Sequence, residues 1–397
     1  MIKLNFNFER SFLDEYFDYC YNTFMDANLL AVKALLPDNR QVRDDFDLLF
    51  NEESLKEIIE SPADELELVI KSVYDVFPIL AERYHYSYLL EKVSIYEGSF
   101  DMSLTGQEQR DHFDQVVLDT IDELEKLTSN YDLVVTNYHI RNLRDQNISR
   151  TNKKKILCRL ENAARGKSVL TKKYVNMFPD WVNRVEDIFD YSVMANNYGY
   201  RLVGNSNVTI CAYCGLEKIQ TYNNRHLQVR PDLDHFYPKS RFPFLAISLF
   251  NLVPSGHICN QKNKKNSSML GYVHPCLDSV QQRDFFQFSF SDTADVVTTL
   301  KVDVESINEI KDKNISLFKI KHLYNGDSEL RNWYAVLYAL REFHKSNGDN
   351  LATIDFTALN WRHTIRLDAP STEVSAQQFK IDAINDLFGS SLNVVEQ

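Results

Sequence analysis

The chain has 397 residues, of which 44% are hydrophobic and 25% are charged, and its formal net charge is −12 at pH 7. This length and composition are typical of a globular protein with more than one core. No apolar run reaches the roughly 18 residues that a bilayer-spanning helix needs, and the N-terminus lacks the pattern of a signal peptide. Six cysteines are too few for a disulfide scaffold, so we expect a cytoplasmic protein in which clustered cysteines bind a metal.

The charge is distributed unevenly along the chain. Residues 1–125 carry 10 Lys and Arg against 28 Asp and Glu, a net of −18, and residues 281–397 carry 12 against 17, a net of −5. Residues 126–200 carry 13 against 7, a net of +6, and residues 201–280 carry 9 against 4, a net of +5. The basic centre suits a nucleic acid. The acidic N-terminal region is a suitable surface for a basic protein partner. Alternatively, this region itself mimics DNA and restrains the basic centre.

The predicted elements begin with helices. Apolar residues recur at helical spacing over 12–36 and stop at Pro37, which predicts a helix there. Residues 1–200 are predicted to form a helical domain. Within it, residues 141–173 contain 11 Lys or Arg and two acids. That segment fits either a helix that follows a phosphate backbone or an ordinary solvated helix face.

The pattern changes after residue 200. Short strand-like segments between cysteine-bearing turns make 201–280 a separate, mixed unit, and alternation over 284–306 predicts strands. Helical patterns return at 306–322, 327–345 and 375–388, the last ending at Gly389. We therefore predict the α+β class: a mostly α-helical protein with a small mixed core at 201–280. The domain at 281–397 is predicted to be mainly helical after a short β-containing segment.

Cys211 and Cys214 form a CxxC motif in "CAYC". The turn of such a motif presents two thiolates to one metal ion. A redox pair is the alternative, but no thioredoxin-like βαβ pattern surrounds the motif. We therefore predict a zinc site.

A structural zinc ion takes four ligands, and Cys259 in "SGHICNQKNKK" is the predicted third. Gly256 occupies the position where a second CxxC motif would have its first cysteine. His257, one position further on, is the predicted fourth ligand. His274 and Cys276 in "YVHPCLD" are the alternatives.

Residues 211–265 carry a second pattern around these cysteines. "LQVRPDLDHF" alternates up to Asp234 and His235, "LFNLVPS" is a second predicted strand with Asn251, and "CNQKNKKN" opens a predicted helix with Asn260. This strand–strand–helix order, with its CxxC, DHxxPKS and NL motifs, resembles the HNH endonucleases, the ββα-metal or His-Me finger class. The predicted core is accordingly a zinc-stapled ββα-metal unit.

The resemblance implies a role for each residue. His235 would take a proton from the attacking water. Asp234 points to the other face of the strand and, with Asn260, would bind a catalytic Mg²⁺ or Mn²⁺ ion. Asn251 would brace the loop and orient His235. The cations near this site are predicted phosphate contacts, with solvation at a helix end as the alternative for those after residue 260: Lys239, Arg241, Lys262, Lys264 and Lys265.

The function that follows is a metal-dependent HNH endonuclease that hydrolyses phosphodiester bonds in DNA. The stretch from "CAYC" to "CNQKNKK" is similar to the HNH partner of Septu and related retron-type systems, which pairs with an ATPase. This similarity implies an effector of prokaryotic anti-phage defence with an ATPase partner. The alternatives are an RNA-directed, toxin-like nuclease and a non-catalytic, zinc-dependent nucleic-acid-binding protein.

Overall fold

The computed structural model of the chain describes residues 1–167, 170–291, 295–356 and 366–393. These residues are mainly helical and form three two-stranded antiparallel sheets, in agreement with the predicted α+β class. In the ranges described, no helix combines the length and apolar character that a membrane crossing requires.

Helices make up the first half of the chain. They are α1 (Arg10–Cys20), α2 (Asp26–Lys33), α3 (Arg40–Leu49), α4 (Glu52–Glu60), α5 (Leu66–Val76), α6 (Pro78–Tyr84), α7 (Tyr86–Leu90), α8 (Gln107–Thr128), α9 (Val134–Arg144), α10 (Arg150–Ala164), α11 (Lys172–Val175), α12 (Asp180–Ile188) and α13 (Tyr191–Ser206). A π-helical turn at Tyr21–Met25 joins α1 to α2. The predicted helix at 12–36 is therefore confirmed over most of its length, and its buried face includes Tyr16 and Val32.

The central segment contains two of the sheets. Its strands are β1 (Tyr222–Asn223), β2 (Gln228–Val229), β3 (Asp232–His235) and β4 (Leu252–Ser255). Strand β3 pairs with β4 so that Asp234 lies opposite Val253 and His235 opposite Leu252. The second predicted strand starts later than expected, because Asn251 ends a 3-10 turn. A π-helix, Ile258–Lys264, takes the place of the α-helix expected after Cys259.

The C-terminal segment follows its prediction except within 284–306, where a helical turn at Val296–Thr299 separates the two strands and residues 292–294 lie outside the described residues. It contains β5 (Phe286–Ser289), β6 (Lys301–Val304), α14 (Val296–Thr299), α15 (Glu309–Leu317), α16 (Ile320–Gly326), α17 (Ser328–Ser346) and α18 (Gln377–Phe388). The helix predicted at 306–322 is divided at Lys319, whose φ of 53° is left-handed. Helix α18 ends at Gly389 with a φ of 68°, the conformation that glycine adopts most readily after a helix.

The N-terminal helices pack directly against the central segment. The Tyr16 hydroxyl donates to the Ile247 carbonyl at 2.8 Å, and the Ser248 hydroxyl donates to a carbonyl in α4. The Ile2 amide donates to the Ala212 carbonyl, inside the CxxC turn, at 2.7 Å. One buried core includes residues from all three predicted domains. The central segment is therefore packed between residues that precede it and residues that follow it.

Candidate functional site

Three predicted metal ligands come together. The sulfur atoms of Cys211, Cys214 and Cys259 lie within 4.8 Å of one another, and all three side chains are buried free thiols. The Glu217 amide donates to the Cys214 sulfur at 3.4 Å, a contact that favours the thiolate. Buried thiolates need a cation to stabilise their charge, and three sulfur donors suit zinc. The cluster can therefore bind a metal such as zinc.

The structure does not bring the predicted fourth ligand into this cluster. The His257 side chain is exposed, and its backbone amide donates to Glu217 Oε1 at 3.1 Å. In a CxxC turn the two metal-facing positions are three residues apart, whereas His257 is only two residues before Cys259. The alternative ligand His274 is also elsewhere, with its ring centroid 4.3 Å from that of Phe236.

The His235 imidazole is held in one tautomer. Its Nε2 lies 2.8 Å from the Ala246 carbonyl oxygen, and because a carbonyl only accepts, Nε2 must carry the proton. The described residues place no hydrogen-bond partner on Nδ1. Burial lowers the pKa of His235 to about 3, so the ring is neutral and Nδ1 carries the lone pair. The Tyr191 ring packs edge-on against the imidazole at 4.5 Å.

Asn251 closes the loop that supplies this carbonyl. Its Oδ1 accepts from the Tyr237 amide at 2.7 Å, and its Nδ2 donates to the Tyr237 and Leu245 carbonyls at 3.0 and 2.9 Å. The loop between these residues leads directly to Ala246. Asn251 therefore has the bracing geometry that the resemblance implies, and its part in catalysis stays a prediction.

Asp234 has different partners from those predicted. Its Oδ1 lies 3.2 Å from Lys264 Nζ, and its Oδ2 accepts from the Tyr213 hydroxyl at 2.6 Å. Lys264 Nζ also donates to the His235 carbonyl at 2.6 Å. Burial raises the pKa of Asp234 and lowers that of Lys264, and their contact opposes both shifts. An ammonium group thus occupies the side of Asp234 predicted to bind a divalent cation.

Asn260, the second predicted ligand of this cation, donates from Nδ2 to Asp232 Oδ2 at 3.1 Å. It therefore bonds to the carboxylate two residues before Asp234 on β3. As they lie, Asp234 and Asn260 do not form a Mg²⁺ or Mn²⁺ site. The physical reason is that both Asp234 oxygens already have donors, one of them charged.

The predicted phosphate contacts fall into two groups. Lys239, Lys262 and Lys265 are exposed. Lys264 is buried, and Arg241 donates to the Asn266 and Gly166 carbonyls at 2.6 and 2.8 Å. Lys264 and two donors of Arg241 therefore bond inside the protein, and the phosphate contacts of this set stay a prediction.

The basic segment at 141–173 is partly neutralised by the acidic region. Its ion pairs with residues before 126 are Arg144–Glu125, Arg150–Asp114 and Arg165–Glu97. Lys154 donates to two backbone carbonyls, at positions 100 and 102. These contacts favour the interpretation of an ordinary helix face over that of a helix that follows a phosphate backbone.

A cavity of about 470 Å³ lies next to two residues that contact His235, and the His235 side chain itself does not line it. These two residues, Tyr191 and Ala246, line it together with Lys239, whose ammonium lies 5.0 Å from the centre of the Tyr191 ring. Acids of α12 and the following turn line another part of the wall. A phosphate in this cavity would be attracted by Lys239 and repelled by those acids.

Sequence reasoning missed Tyr213 and Tyr191. Tyr213 lies between the two cysteines of the CxxC turn, so the turn that presents the sulfurs also aims its hydroxyl at Asp234. The position of Tyr213 inside the CxxC motif could therefore have identified it from the sequence. Tyr191 is 44 residues before His235, and no local pattern connects the two. Comparison of the chain with family models, curated proteins and solved structures found no match.

Proposed function

We propose that the chain is an endonuclease that hydrolyses phosphodiester bonds, with His235 as the general base. The observation that carries this proposal is the bond from His235 Nε2 to the Ala246 carbonyl. It leaves Nδ1 as the ring atom that can take a proton from water. Burial lowers the pKa of His235 well below 7, so the ring is already neutral at physiological pH and needs no prior deprotonation.

The residues around His235 support the same chemistry. Asn251 fixes the loop that ends at Ala246, and this keeps the ring at a constant angle. Lys239 is the exposed cation of the nearby cavity and would bind the substrate phosphate. The negative charge of a bound phosphate would raise the pKa of His235 from its low value, which would make it a stronger base when substrate is present.

The resemblance to HNH nucleases implies a Mg²⁺ or Mn²⁺ ion, and the described arrangement does not fit one. Lys264 instead provides the positive charge at Asp234 and at the His235 carbonyl. A divalent cation would have to compete with this ammonium for the carboxylate. The first assay therefore compares cleavage in the presence and in the absence of a divalent cation.

DNA is the proposed substrate, and Lys239, Lys262 and Lys265 are the proposed contacts to its backbone. These cations are exposed near the candidate site, and phosphate contacts of this kind bind without reading base sequence. RNA presents the same phosphodiester and is a second substrate to test. The role as a defence effector with an ATPase partner rests on the resemblance of residues 211–265 alone.

A non-catalytic, zinc-dependent nucleic-acid-binding protein is the second candidate function. The observation that favours it is the burial of His235 and Asp234. A general base must contact the water molecule that it activates. For a substrate to reach the His235 ring, the residues that cover the ring would have to move. The cysteine cluster and the exposed lysines serve either function.

The test offers the purified chain single- and double-stranded DNA and RNA, each in Mg²⁺, in Mn²⁺ and in EDTA. The wild-type protein is compared with His235→Ala, and exposed His226→Ala serves as the matched control. We expect cleavage of at least one substrate by wild type and by the control, and loss of cleavage in His235→Ala. Binding without cleavage in every condition would instead support the non-catalytic function.

A further inference from the structure

The cysteine cluster supplies three of the four ligands that a structural zinc ion takes. Among the residues that the structure describes, no further histidine, cysteine or carboxylate lies within 4.8 Å of all three sulfurs. His257 is exposed. His274 is not part of the cluster, because neither of its ring nitrogens lies within 4.8 Å of all three sulfurs. The identity of the fourth ligand is therefore open.

Glu217 borders the cluster on two sides. Its backbone amide donates to the Cys214 sulfur at 3.4 Å, and its Oε1 accepts from the His257 amide, two residues before Cys259, at 3.1 Å. Its Oε2 is buried and finds no hydrogen-bond partner among the residues that the structure describes. A buried carboxylate oxygen without a donor is costly, and a bound cation would remove that cost.

Gly256 explains why the carboxylate lies there. This glycine is three residues before Cys259, the position of the first cysteine in a complete second CxxC motif. A Cβ atom built on Gly256 would lie 2.0 Å from Glu217 Oε2. The Glu217 carboxylate therefore fills the space that a side chain at position 256 would need.

We propose that Glu217 is the fourth ligand, so that the chain holds zinc with three thiolates and one carboxylate. Zinc accepts carboxylate oxygen as well as sulfur, and coordination would give Oε2 the partner that it lacks. Because Oε2 is not within 4.8 Å of all three sulfurs, binding includes a rotation of the Glu217 side chain toward them. Glycine at 256 leaves the room that this carboxylate occupies.

The proposal does not depend on nuclease activity, and its test measures metal binding alone. Zinc content of the purified full-length chain is determined by elemental analysis, and zinc affinity by competition with a chromogenic chelator. We expect about one zinc per chain in wild type. We expect Glu217→Ala to weaken zinc binding at least about tenfold and Glu217→Gln to weaken it by less. His257→Ala, which removes the other nearby donor, should bind zinc like wild type.

A double variant distinguishes the loss of a zinc ligand from misfolding of the variant. Glu217→Ala combined with Gly256→Cys removes the carboxylate and completes the second CxxC motif, so it should regain tight zinc binding. Its Co²⁺-substituted form should show stronger sulfur-to-metal absorption than wild type, because four thiolates replace three. The proposal is overturned if Glu217→Ala binds zinc as tightly as wild type, if His257→Ala loses zinc, or if wild type binds none.

Discussion

The ammonium of Lys264 lies 3.2 Å from the carboxylate of Asp234, and the two side chains are only 1% and 6% exposed. This ion pair connects the segment that carries Cys259 to the strand that carries His235. Lys264 ends the π-helix that contains Cys259, and Tyr213, between the other two cysteines, donates to the second Asp234 oxygen. The CxxC turn and the π-helix thus both bond to Asp234, on the strand that carries His235.

Removing the lysine should destabilise the protein strongly. Lys264→Met leaves the Asp234 carboxylate buried with Tyr213 as its remaining donor, and breaking such a pair costs about 3 kcal/mol. Chemical denaturation should show that loss, whereas Lys262→Met, at an exposed position of the same helix, should change stability little. Adding Asp234→Asn to Lys264→Met should recover part of the loss. An unchanged unfolding midpoint for Lys264→Met would show that the pair is not formed in solution.

Asn251 should be needed for both stability and cleavage. Asn251→Ala removes three hydrogen bonds from a buried loop, and unpaired buried groups cost about 1–3 kcal/mol each. Because the loop leads to the carbonyl that orients His235, the cleavage rate should fall about tenfold or more in the protein that remains folded. Circular dichroism and initial cleavage rates measure the two effects. Asn266→Ala, at an exposed position, is the control and should leave both unchanged.

Stability should fall as the solution becomes acidic. Burial lowers the pKa of His85, His235 and His274 to about 3 and that of His139 to about 4, from an ordinary value of 6.5. Below pH 6.5 the unfolded chain binds protons that the native protein does not, so this stability is present above 6.5 and is lost as pH falls toward 3.

Each of these histidines adds up to about 1.4 kcal/mol per pH unit to the slope. Denaturation midpoints between pH 7 and pH 4 test this pH dependence. His85→Phe should reduce the slope by one proton relative to wild type. Equal slopes for His85→Phe and wild type would contradict the assignment.

Replacing Arg241 should affect protein stability, whereas replacing Lys239 should affect nucleic-acid binding. Arg241→Ala removes donors from two carbonyls in other segments, so it should lower the melting temperature. Lys239→Ala should leave the melting temperature unchanged but weaken nucleic-acid binding and reduce its salt dependence by about one charge. Thermal unfolding and binding titrations at several salt concentrations separate the two effects. A stable Arg241→Ala protein with weakened binding would return Arg241 to the phosphate contacts.

Local patterns predicted much of the fold. Helical periodicity located the long N-terminal helix because one face of it is buried over many turns, and Gly389 marked the end of α18 because glycine accepts a left-handed φ. The three cysteines of the cluster were predicted from spacing, since a CxxC turn brings its two sulfurs to one side.

Partners that are distant in sequence could not be predicted in the same way. Lys264 bonds to a carboxylate 30 residues away and Arg241 to a carbonyl 75 residues away. A lysine or arginine in a basic stretch looks the same in the sequence whether it faces solvent or a buried acceptor. The π-helix also escaped prediction, because its extra residue per turn departs from the periodicity on which helix prediction relies.

The central claim is that His235 activates water for phosphodiester cleavage. The most direct measurement is the initial rate of cleavage of the preferred nucleic acid by wild type and by His235→Ala, at equal concentration and with matching circular dichroism spectra. We predict that the substitution lowers the rate at least about 100-fold while nucleic-acid binding changes little. Equal rates for the two proteins, or no cleavage by wild type of any DNA or RNA offered, would contradict it.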